Sequence, residues 1–452
     1  MSSAPHLLRL AAIVTLLVPV CFVPLRALAS DNVSNTPNNV SVLPLVIEGR
    51  QIPGLGGQSL LGLTAFRCAA GKTTPVVFQV DEINPQNRVV SGDALPEVSA
   101  DEQPGLIDDN DQIVFMQRDL GERCGEEQLG RARGKLVELE ASGGSFKDKA
   151  YLYVLSAERG HVPSSTAVRF DKSRQNISTP AYDMAYSIEH PHMISSFVLH
   201  ELRGRENKNV LDRMKVRMVA KALGALVQLH MTEEEIGGTL LSARAGPVRV
   251  VRELKLDVQP VPGLKIPAKV RFLNYERLFQ AEVEFQIPKA AALFVSSLDL
   301  FLAMDYIDAR GVRISTSGLP QGAVVDGRTA AMEKQFDLGD KRWFLLTGEG
   351  INHVAVLHME EGLNLRPTAR FSDGEGEEFA WPPERVPGGL PQIGYGLLGW
   401  QDLEARWYAF AIDIGMLPSF PEGGGDGFSN TITKKPLVRA TLRGDDAAGE
   451  SN

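Results

Sequence analysis

Two histidines separated by one residue form the most suggestive catalytic pattern in the chain. His190 and His192 flank Pro191, and a residue before proline favours extended backbone. In an extended segment, residues i and i+2 lie on one face, so the two imidazoles would lie together. Imidazole ligates transition metals and exchanges protons near neutral pH. The pattern predicts a metal site completed by His200 or Glu189, or acid–base chemistry, and the alternative is two ordinary surface or core histidines.

Two further histidines, His353 and His358, are separated by an odd number of positions. A straight strand would send their side chains to opposite faces of a sheet. We therefore expect them not to act together.

A run of oxygen-bearing side chains precedes a predicted strand. It consists of Asp108, Asp109, Asn110 and Asp111, and Asp101 is close in sequence. Calcium takes about six to eight oxygen ligands, so the composition suits this ion. The run lacks the spaced ligands and terminal glutamate of an EF-hand loop, and Asp and Asn are also common in turns. The sequence thus indicates either a calcium site formed by Asp108, Asp109 and Asp111 or a solvated turn, and it indicates no other cofactor.

The tryptophans lie in the last quarter of the chain, at positions 343, 381, 400 and 407. Trp381 follows an acidic loop that contains Asp373 and Glu375, and two prolines come after it. Aromatic rings suit the C–H-rich faces of sugars, and loops often carry the binding groups of a rigid β scaffold. We therefore predict that Trp381, Asp373 and Glu375 bind carbohydrate. Trp407 lies in an alternating segment and is expected to be packed, so that its loss would cost stability.

The same acidic loop contains Glu377. Two carboxyl groups at a suitable separation can supply acid–base catalysis on a glycosidic bond. Glu377 is therefore a catalytic candidate beside His190 and His192.

The first 29 residues have the organisation of a secretory signal. A weakly basic start with Arg9 precedes an apolar stretch from Leu10 to Val23, and Ala27-Leu28-Ala29 forms a small-x-small cleavage site. Two prolines interrupt the apolar region, which is shorter than the ~20 residues of a spanning helix. We therefore predict cleavage, export to the periplasm or the extracellular space, and no transmembrane span afterwards.

Cysteine usage agrees with an oxidising compartment. One of the three cysteines, Cys21, lies in the signal segment, which leaves Cys68 and Cys124. An even number of cysteines in an exported chain favours a disulfide, and the alternative is two free thiols.

The charge balance argues against nucleic acid as a partner. The chain has 47 basic and 56 acidic side chains among 452 residues, and removing residues 1–29 takes away two arginines and no acid, so the remainder carries about −11. Nucleic-acid binding needs clustered Lys and Arg, which the sequence lacks. Its 43% hydrophobic content allows a sizeable core.

Short alternating runs separated by Gly, Pro, Asn and Asp dominate from Leu43 onward. The segments 281–287 and 407–416 alternate most clearly, whereas 290–304 and 232–236 are the helix candidates, the latter with a Thr232/Glu235 capping box. We therefore predict an all-β fold, an antiparallel β-sandwich or supersandwich with few short helices. The expected organisation is a signal peptide over 1–29, a flexible leader over 30–42, an N-terminal β region over 43–160, a C-terminal β-supersandwich region over 175–443 and a flexible tail over 444–452.

Three segments together resemble exported bacterial proteins of the galactose-mutarotase-like β-supersandwich type, in particular poorly characterised, carbohydrate-associated members. They are Pro75–Glu82, Asp108–Met116 and Gly246–Arg252. The resemblance implies a β-supersandwich and a sugar ligand. The catalytic pattern of the enzymes in that superfamily does not map onto particular residues of this sequence.

Three functional hypotheses follow. The first is an exported all-β protein that binds carbohydrate of the envelope or the extracellular space, with modification of that carbohydrate left open. The second is a non-catalytic structural or protein-binding component of the envelope. The third is a metal-dependent enzyme centred on His190 and His192.

Overall fold

A computed structural model describes residues 42–130, 132–158, 160, 166–201, 207–222, 226–289, 295–328, 336–348, 351–373, 390–421 and 423–443. All of these residues belong to one compact unit. Strands dominate it and pair antiparallel in five sheets, which confirms the predicted all-β class.

The strands in chain order are β1 (Pro44–Glu48), β2 (Leu63–Ala69), β3 (Lys72–Pro75), β4 (Gln79–Asp81), β5 (Gln112–Met116), β6 (Lys135–Ser142), β7 (Ala150–Ser156), β8 (Arg169–Asp171), β9 (Asn176–Ser178), β10 (Tyr182–Tyr186), β11 (Ile194–Leu199), β12 (Leu211–Ala222), β13 (Val227–Met231), β14 (Gly237–Ala245), β15 (Arg249–Val261), β16 (Leu264–Tyr275), β17 (Leu278–Gln286), β18 (Val295–Tyr306), β19 (Arg313–Thr316), β20 (Ala323–Val324), β21 (Trp343–Gly348), β22 (Ile351–Met359), β23 (Arg366–Ser372), β24 (Gln392–Leu398), β25 (Trp407–Met416) and β26 (Leu437–Arg443). The α-helices of the described residues are α1 (Glu126–Leu129) and α2 (Gly424–Thr433). Single 3-10 turns cover Gly49–Gln51, Pro53–Leu55, Leu60–Gly62, Gln117–Asp119, Glu233–Glu235 and Trp400–Asp402.

Two large sheets form the central sandwich. One has nine strands in the order β14-β15-β16-β17-β25-β22-β21-β19-β20, and the other has five in the order β13-β12-β18-β24-β23. Their facing side chains share one hydrophobic core, in which Phe272 and Phe410 of the larger sheet join Leu300 and Tyr395 of the smaller one. A four-stranded sheet, β11-β10-β9-β8, adds Tyr182 to the same core.

The N-terminal part of the chain builds two smaller sheets. These are β1-β5-β4 and β26-β6-β7-β2-β3, so the last strand of the chain returns to pair with β6. The β1-β5-β4 sheet and helix α2 cover part of the nine-stranded sheet on the face opposite the sandwich core, where Phe428 packs with Trp343 and Val354. Other residues of that outer face, such as Glu284 and Trp407, are exposed.

The predicted disulfide between Cys68 and Cys124 is present, with a Cα–Cα distance of 5.3 Å. It ties β2 to the segment that precedes α1. Closing a loop with a sequence separation of 56 stabilises the fold by about 4 kcal/mol in the chain-entropy model.

The helix predicted over 290–304 is wrong, because residues from Val295 onward form β18. This strand lies in the middle of its sheet and pairs with β12 and β24. Phe301 points away from the sandwich core and is covered by Arg370, 4.2 Å from its ring centroid. An apolar side chain on each face hides the alternation of period two. The Thr232/Glu235 capping box is confirmed, on the 3-10 turn Glu233–Glu235.

The signal segment 1–29, leader residues 30–41 and the tail 444–452 lie outside the described residues, so cleavage and export stay predictions. No helix among the residues that the structure describes is both long and apolar enough to cross a bilayer.

Candidate functional site

Strands β17 and β25 lie side by side in the nine-stranded sheet and present two different faces. On the inner face, Phe285 packs against Tyr408 and Phe410, with ring centroids 5.7 and 6.2 Å away. The alternate residues lie on the outer face and include Glu284 and Trp407. Strict alternation in both strands thus separates an apolar surface from a polar one.

The outer face carries two alanines flanked by longer side chains, and we call the strip above these alanines the groove. Ala409 and Ala411 of β25 are partly exposed, and Ala411 pairs with Glu282 on one side and His358 of β22 on the other. The neighbouring side chains are longer than the alanine methyl groups, so they form walls around a depression. Adjacent strands are about 4.8 Å apart, which places the backbones of Glu282 and His358 roughly 10 Å apart across the groove.

Trp407 lies at one end of this groove with 41% of its surface exposed. The Lys269 Nζ atom lies 5.0 Å from its ring centroid and 3.6 Å from Glu284 Oε2. The expectation that Trp407 is packed in the sheet is therefore wrong, whereas Trp343 is buried. Alternation identified the correct strand but not which face the rest of the protein covers.

A histidine–carboxylate pair lies at the other end. Asp413 is buried, and its Oδ1 accepts a hydrogen bond from Gln280 Nε2 at 2.8 Å. Its Oδ2 lies 2.8 Å from His358 Nε2, and the His358 ring is partly exposed. A carboxylate this close to an imidazole can orient the ring. The pair thus places a partly exposed imidazole, with a buried carboxylate beside it, at this end of the groove.

Arg271 contacts Glu282, which with Glu284 forms the acidic wall of the groove. Its Nη1 lies 3.3 Å from Glu282 Oε2, and its Nε donates to Glu253 Oε1 at 2.8 Å. The same guanidinium donates to the carbonyl of Asn87, in the loop between β4 and β5. Glu282 is thus held by a side chain that is itself anchored on two sides.

The predicted histidine pair lies in the turn between β10 and β11. His190 and His192 have ring centroids 6.1 Å apart and nearly perpendicular rings, because the segment turns instead of staying extended. His192 is buried and its Nε2 donates to the carbonyl of Glu233 at 3.1 Å. Burial lowers the pKa of His192 to about 4. His200 lies 3.2 Å from Asp183 instead of joining this pair.

An apolar cavity of about 200 Å³ lies between the two large sheets. Its lining includes Ala281, Val283, Ile412 and Ile414 from the inner face of β17 and β25. His353 also lines it, and burial lowers the pKa of this histidine to about 4, so it is neutral at physiological pH. The predicted separation of His353 and His358 onto opposite faces is thus confirmed.

Asp373 is fully buried at the end of β23. Its Oδ2 accepts hydrogen bonds from the backbone of Asp326 at 3.0 Å and Gly327 at 3.3 Å. The carboxylate holds a turn, and its role as a binding residue stays a prediction. Trp381, Glu375 and Glu377 lie outside the described residues, so their predicted roles also stay predictions.

Three carboxylates meet beside β5. Asp101, Asp108 and Asp111 each offer an oxygen atom, and these atoms lie within 4.8 Å of one another. In the described part of the chain, this is the one cluster of three or more His, Cys, Asp or Glu side chains with that spacing. Asp109, which the sequence suggested as a ligand, is exposed, and Asp101 takes its place.

No protein-family model and no curated protein matches this chain. Solved structures are similar to it at low scores. An α-mannosidase from Enterococcus faecalis V583 has a TM-score of 0.42 and 10% identity, with 90% of this chain and 45% of that chain covered. The chain thus spans less than half the length of that enzyme.

Two further structures come from proteins named for sugar chemistry. One described as a mutarotase, from Salmonella typhimurium, has a TM-score of 0.31 and 10% identity, with 53% of this chain and 90% of that chain covered. Another described as an aldose 1-epimerase, from Klebsiella pneumoniae, has a TM-score of 0.25 and 10% identity, with 68% and 88% covered. Similarities this low carry no argument about the activity of this chain.

Proposed function

We propose that this protein is exported and binds carbohydrate in the alanine-floored groove on the outer face of the nine-stranded sheet. The observation that carries the proposal is the exposed Trp407 ring beside a floor of small side chains with hydrogen-bonding walls. An exposed tryptophan next to small side chains offers a flat apolar ring with a polar N–H to a ligand.

The groove offers the two kinds of contact that a sugar needs. The Trp407 ring can stack on the C–H face of a pyranose, and Lys269 beside it carries donors for hydroxyl groups. Glu282 and Glu284 supply acceptors along one wall. Six residues of strand separate Trp407 from Asp413, about 20 Å, which suits a short oligosaccharide better than a single ring.

A second function, acid–base modification of the bound sugar, is favoured by one contact. His358 is held by Asp413 at 2.8 Å and faces Glu282 across the floor at Ala411. One group can accept a proton while the other donates one, which is the requirement for ring opening, epimerisation or elimination. The non-catalytic alternative, a protein-binding envelope component, would use the same exposed face without this proton transfer.

A glycan array on residues 30–452 tests the binding function first. For a glycan that binds, Trp407→Ala should raise Kd at least ~10-fold, about 1.4 kcal/mol, with little change in Tm. Phe420→Ala is the matched control, because Phe420 is an exposed aromatic side chain outside the groove strands and its loss should leave Kd unchanged. Trp381→Ala, measured in parallel, tests the loop predicted from the sequence.

Absence of binding to any glycan, or unchanged Kd in Trp407→Ala, would refute the groove as a carbohydrate site. If only Trp381→Ala weakens binding, the sugar binds at the acidic loop instead. His358→Gln separates the two functions, because it should abolish modification of a bound sugar while changing Kd far less.

A further inference from the structure

Asp101, Asp108 and Asp111 are buried together although each is a carboxylic acid. They are 7%, 8% and 0% exposed, respectively. Carboxylates are almost never fully buried without a partner of opposite charge, since leaving water costs several kcal/mol per ion. The cluster therefore needs a compensating charge.

Backbone amides hydrogen-bond to all three carboxylates and hold them in position. Asp111 Oδ1 accepts the N–H of Ile83, and its Oδ2 accepts the N–H of Asp108, both at 3.0 Å. Asp108 Oδ1 accepts the N–H of Asn110 at 3.2 Å. These donors fix the geometry but carry no full positive charge.

Asp101 contributes an oxygen atom that nothing satisfies. Its Oδ2 accepts the N–H of Gln103 at 3.0 Å, whereas its Oδ1 is buried and has no hydrogen-bond donor. The side-chain Oδ1 of Asn110, in the same loop, is also buried without a donor. Buried acceptors are normally paired, so the orphaned oxygen atom of Asp101, inside a cluster of carboxylates, indicates a missing cation.

No basic side chain of the described residues forms an ion pair with the three carboxylates. Arg249, the buried guanidinium near β4, is engaged by Asp81, with Nη2 and Oδ2 2.8 Å apart. The like charges therefore repel one another unless a proton or a cation intervenes.

We propose that Asp101, Asp108 and Asp111 bind a calcium ion. Calcium prefers carboxylate and amide oxygen atoms at about 2.3–2.6 Å, so two ligands on opposite sides of the ion are up to ~5 Å apart. The spacing of these oxygen atoms, within 4.8 Å, fits that geometry. Water would complete the coordination shell.

The ion would stabilise the loop between β4 and β5. This loop also reaches the nine-stranded sheet, where the N–H of Leu95 donates to the carbonyl of Leu241 at 2.8 Å and that of Val89 donates to Glu253 Oε1 at 3.2 Å. Calcium binding would therefore also stabilise the contact between the β4–β5 loop and the nine-stranded sheet of the sandwich. It does not depend on whether the groove binds sugar.

The test is a calcium titration of chelator-treated residues 30–452 by calorimetry and thermal unfolding. We expect Kd of roughly 10⁻⁴–10⁻³ M, as in extracellular modules, and weaker binding of magnesium, which dehydrates reluctantly. About 10 mM calcium should raise Tm by roughly 2–5 °C. Asp101→Asn and Asp111→Asn should weaken calcium binding at least ~10-fold, since ligand charge sets affinity.

Asp109→Asn is the matched control, because it removes the same charge from the same loop at an exposed position. It should bind calcium like the wild type. In chelator, Asp101→Asn should unfold at the same temperature as the wild type or higher, because one like charge has been removed.

A purely structural role for Asp101 predicts the reverse, a lower Tm with calcium and without it. The proposal is overturned if the wild type shows neither calcium heat nor a Tm shift. It is also overturned if Asp101→Asn, Asp111→Asn and Asp109→Asn all respond to calcium alike. The wild-type titration decides the question even if a variant fails to fold.

Discussion

The two faces of β17 and β25 share one backbone but offer different chemistry. The inner face lines an apolar cavity of about 200 Å³, and the outer face carries the groove of Trp407, Ala409 and Ala411. His353 on the inner side of β22 is buried and neutral, whereas His358 on its outer side contacts Asp413 and reaches solvent. Polar side chains that reach solvent therefore lie on the outer face, whereas the inner face is packed and contributes to stability.

Phe285→Ala tests the stability half of this comparison. Phe285 is buried on the inner face and lies 4.5 Å from the Trp400 ring centroid. Its loss should cost about 3–5 kcal/mol in the free energy of unfolding, as for other buried phenylalanines. Glu284→Ala, next to it on the outer face and half-exposed, should change stability by less than ~0.5 kcal/mol. Urea denaturation measures the free energy of unfolding of both variants. Equal decreases in the two variants would contradict the assignment of stability to the inner face.

Acid should lower the free energy of unfolding of the protein through His353, which is buried on the inner face. Its folded-state pKa of about 4 lies below the ~6.5 of an unfolded histidine, so the unfolded chain binds more protons between these values. The stability that neutral His353 provides is present above pH ~6.5 and is lost as pH falls toward 4, by up to about 3 kcal/mol. In His353→Leu, the free energy of unfolding should fall less steeply over this window. An unchanged slope in urea midpoints would mean that His353 is solvated.

The sequence predicted more of the fold than of the site. Strand β5 (Gln112–Met116) follows the acidic run, as predicted, because turn-forming Asp and Asn residues mark its start. The outer-face groove was missed because alternation assigns Trp407 and Ala411 to a face without saying whether another sheet covers it. Coverage here depends on where the β1-β5-β4 sheet and α2 pack, which is a long-range property.

The acidic cluster shows the same limit at shorter range. Asp108 and Asp111 lie in one tight turn, so their proximity is readable from spacing. The intervening loop brings Asp101 close to these two residues. Asp109 does not belong to the cluster, because its side chain is exposed. Composition thus indicated either a calcium site or a turn, and only the fold shows which of the carboxylates lie together.

The smallest expected effects come from enlarging one alanine on each face. Ala281 of β17 lines the cavity, and Ala411 of the neighbouring strand floors the groove. Ala281→Leu should place its added methyl groups in the existing void and raise the free energy of unfolding by up to about 1 kcal/mol, because a cavity lacks packing partners. Ala411→Leu should leave stability within ~0.5 kcal/mol but raise the Kd of a bound glycan about 10-fold by filling the floor.

Each alanine variant is the control for the other, because the same side chain is added to adjacent strands on opposite faces. Thermal unfolding and glycan titration of both proteins give four measurements, of which two should change. If Ala281→Leu destabilises the protein, the sandwich core is too tightly packed to accept the larger side chain and the cavity is not available space. If Ala411→Leu leaves glycan binding intact, the ligand does not contact the groove floor, and the function of this face then depends on Trp407 and Lys269 alone.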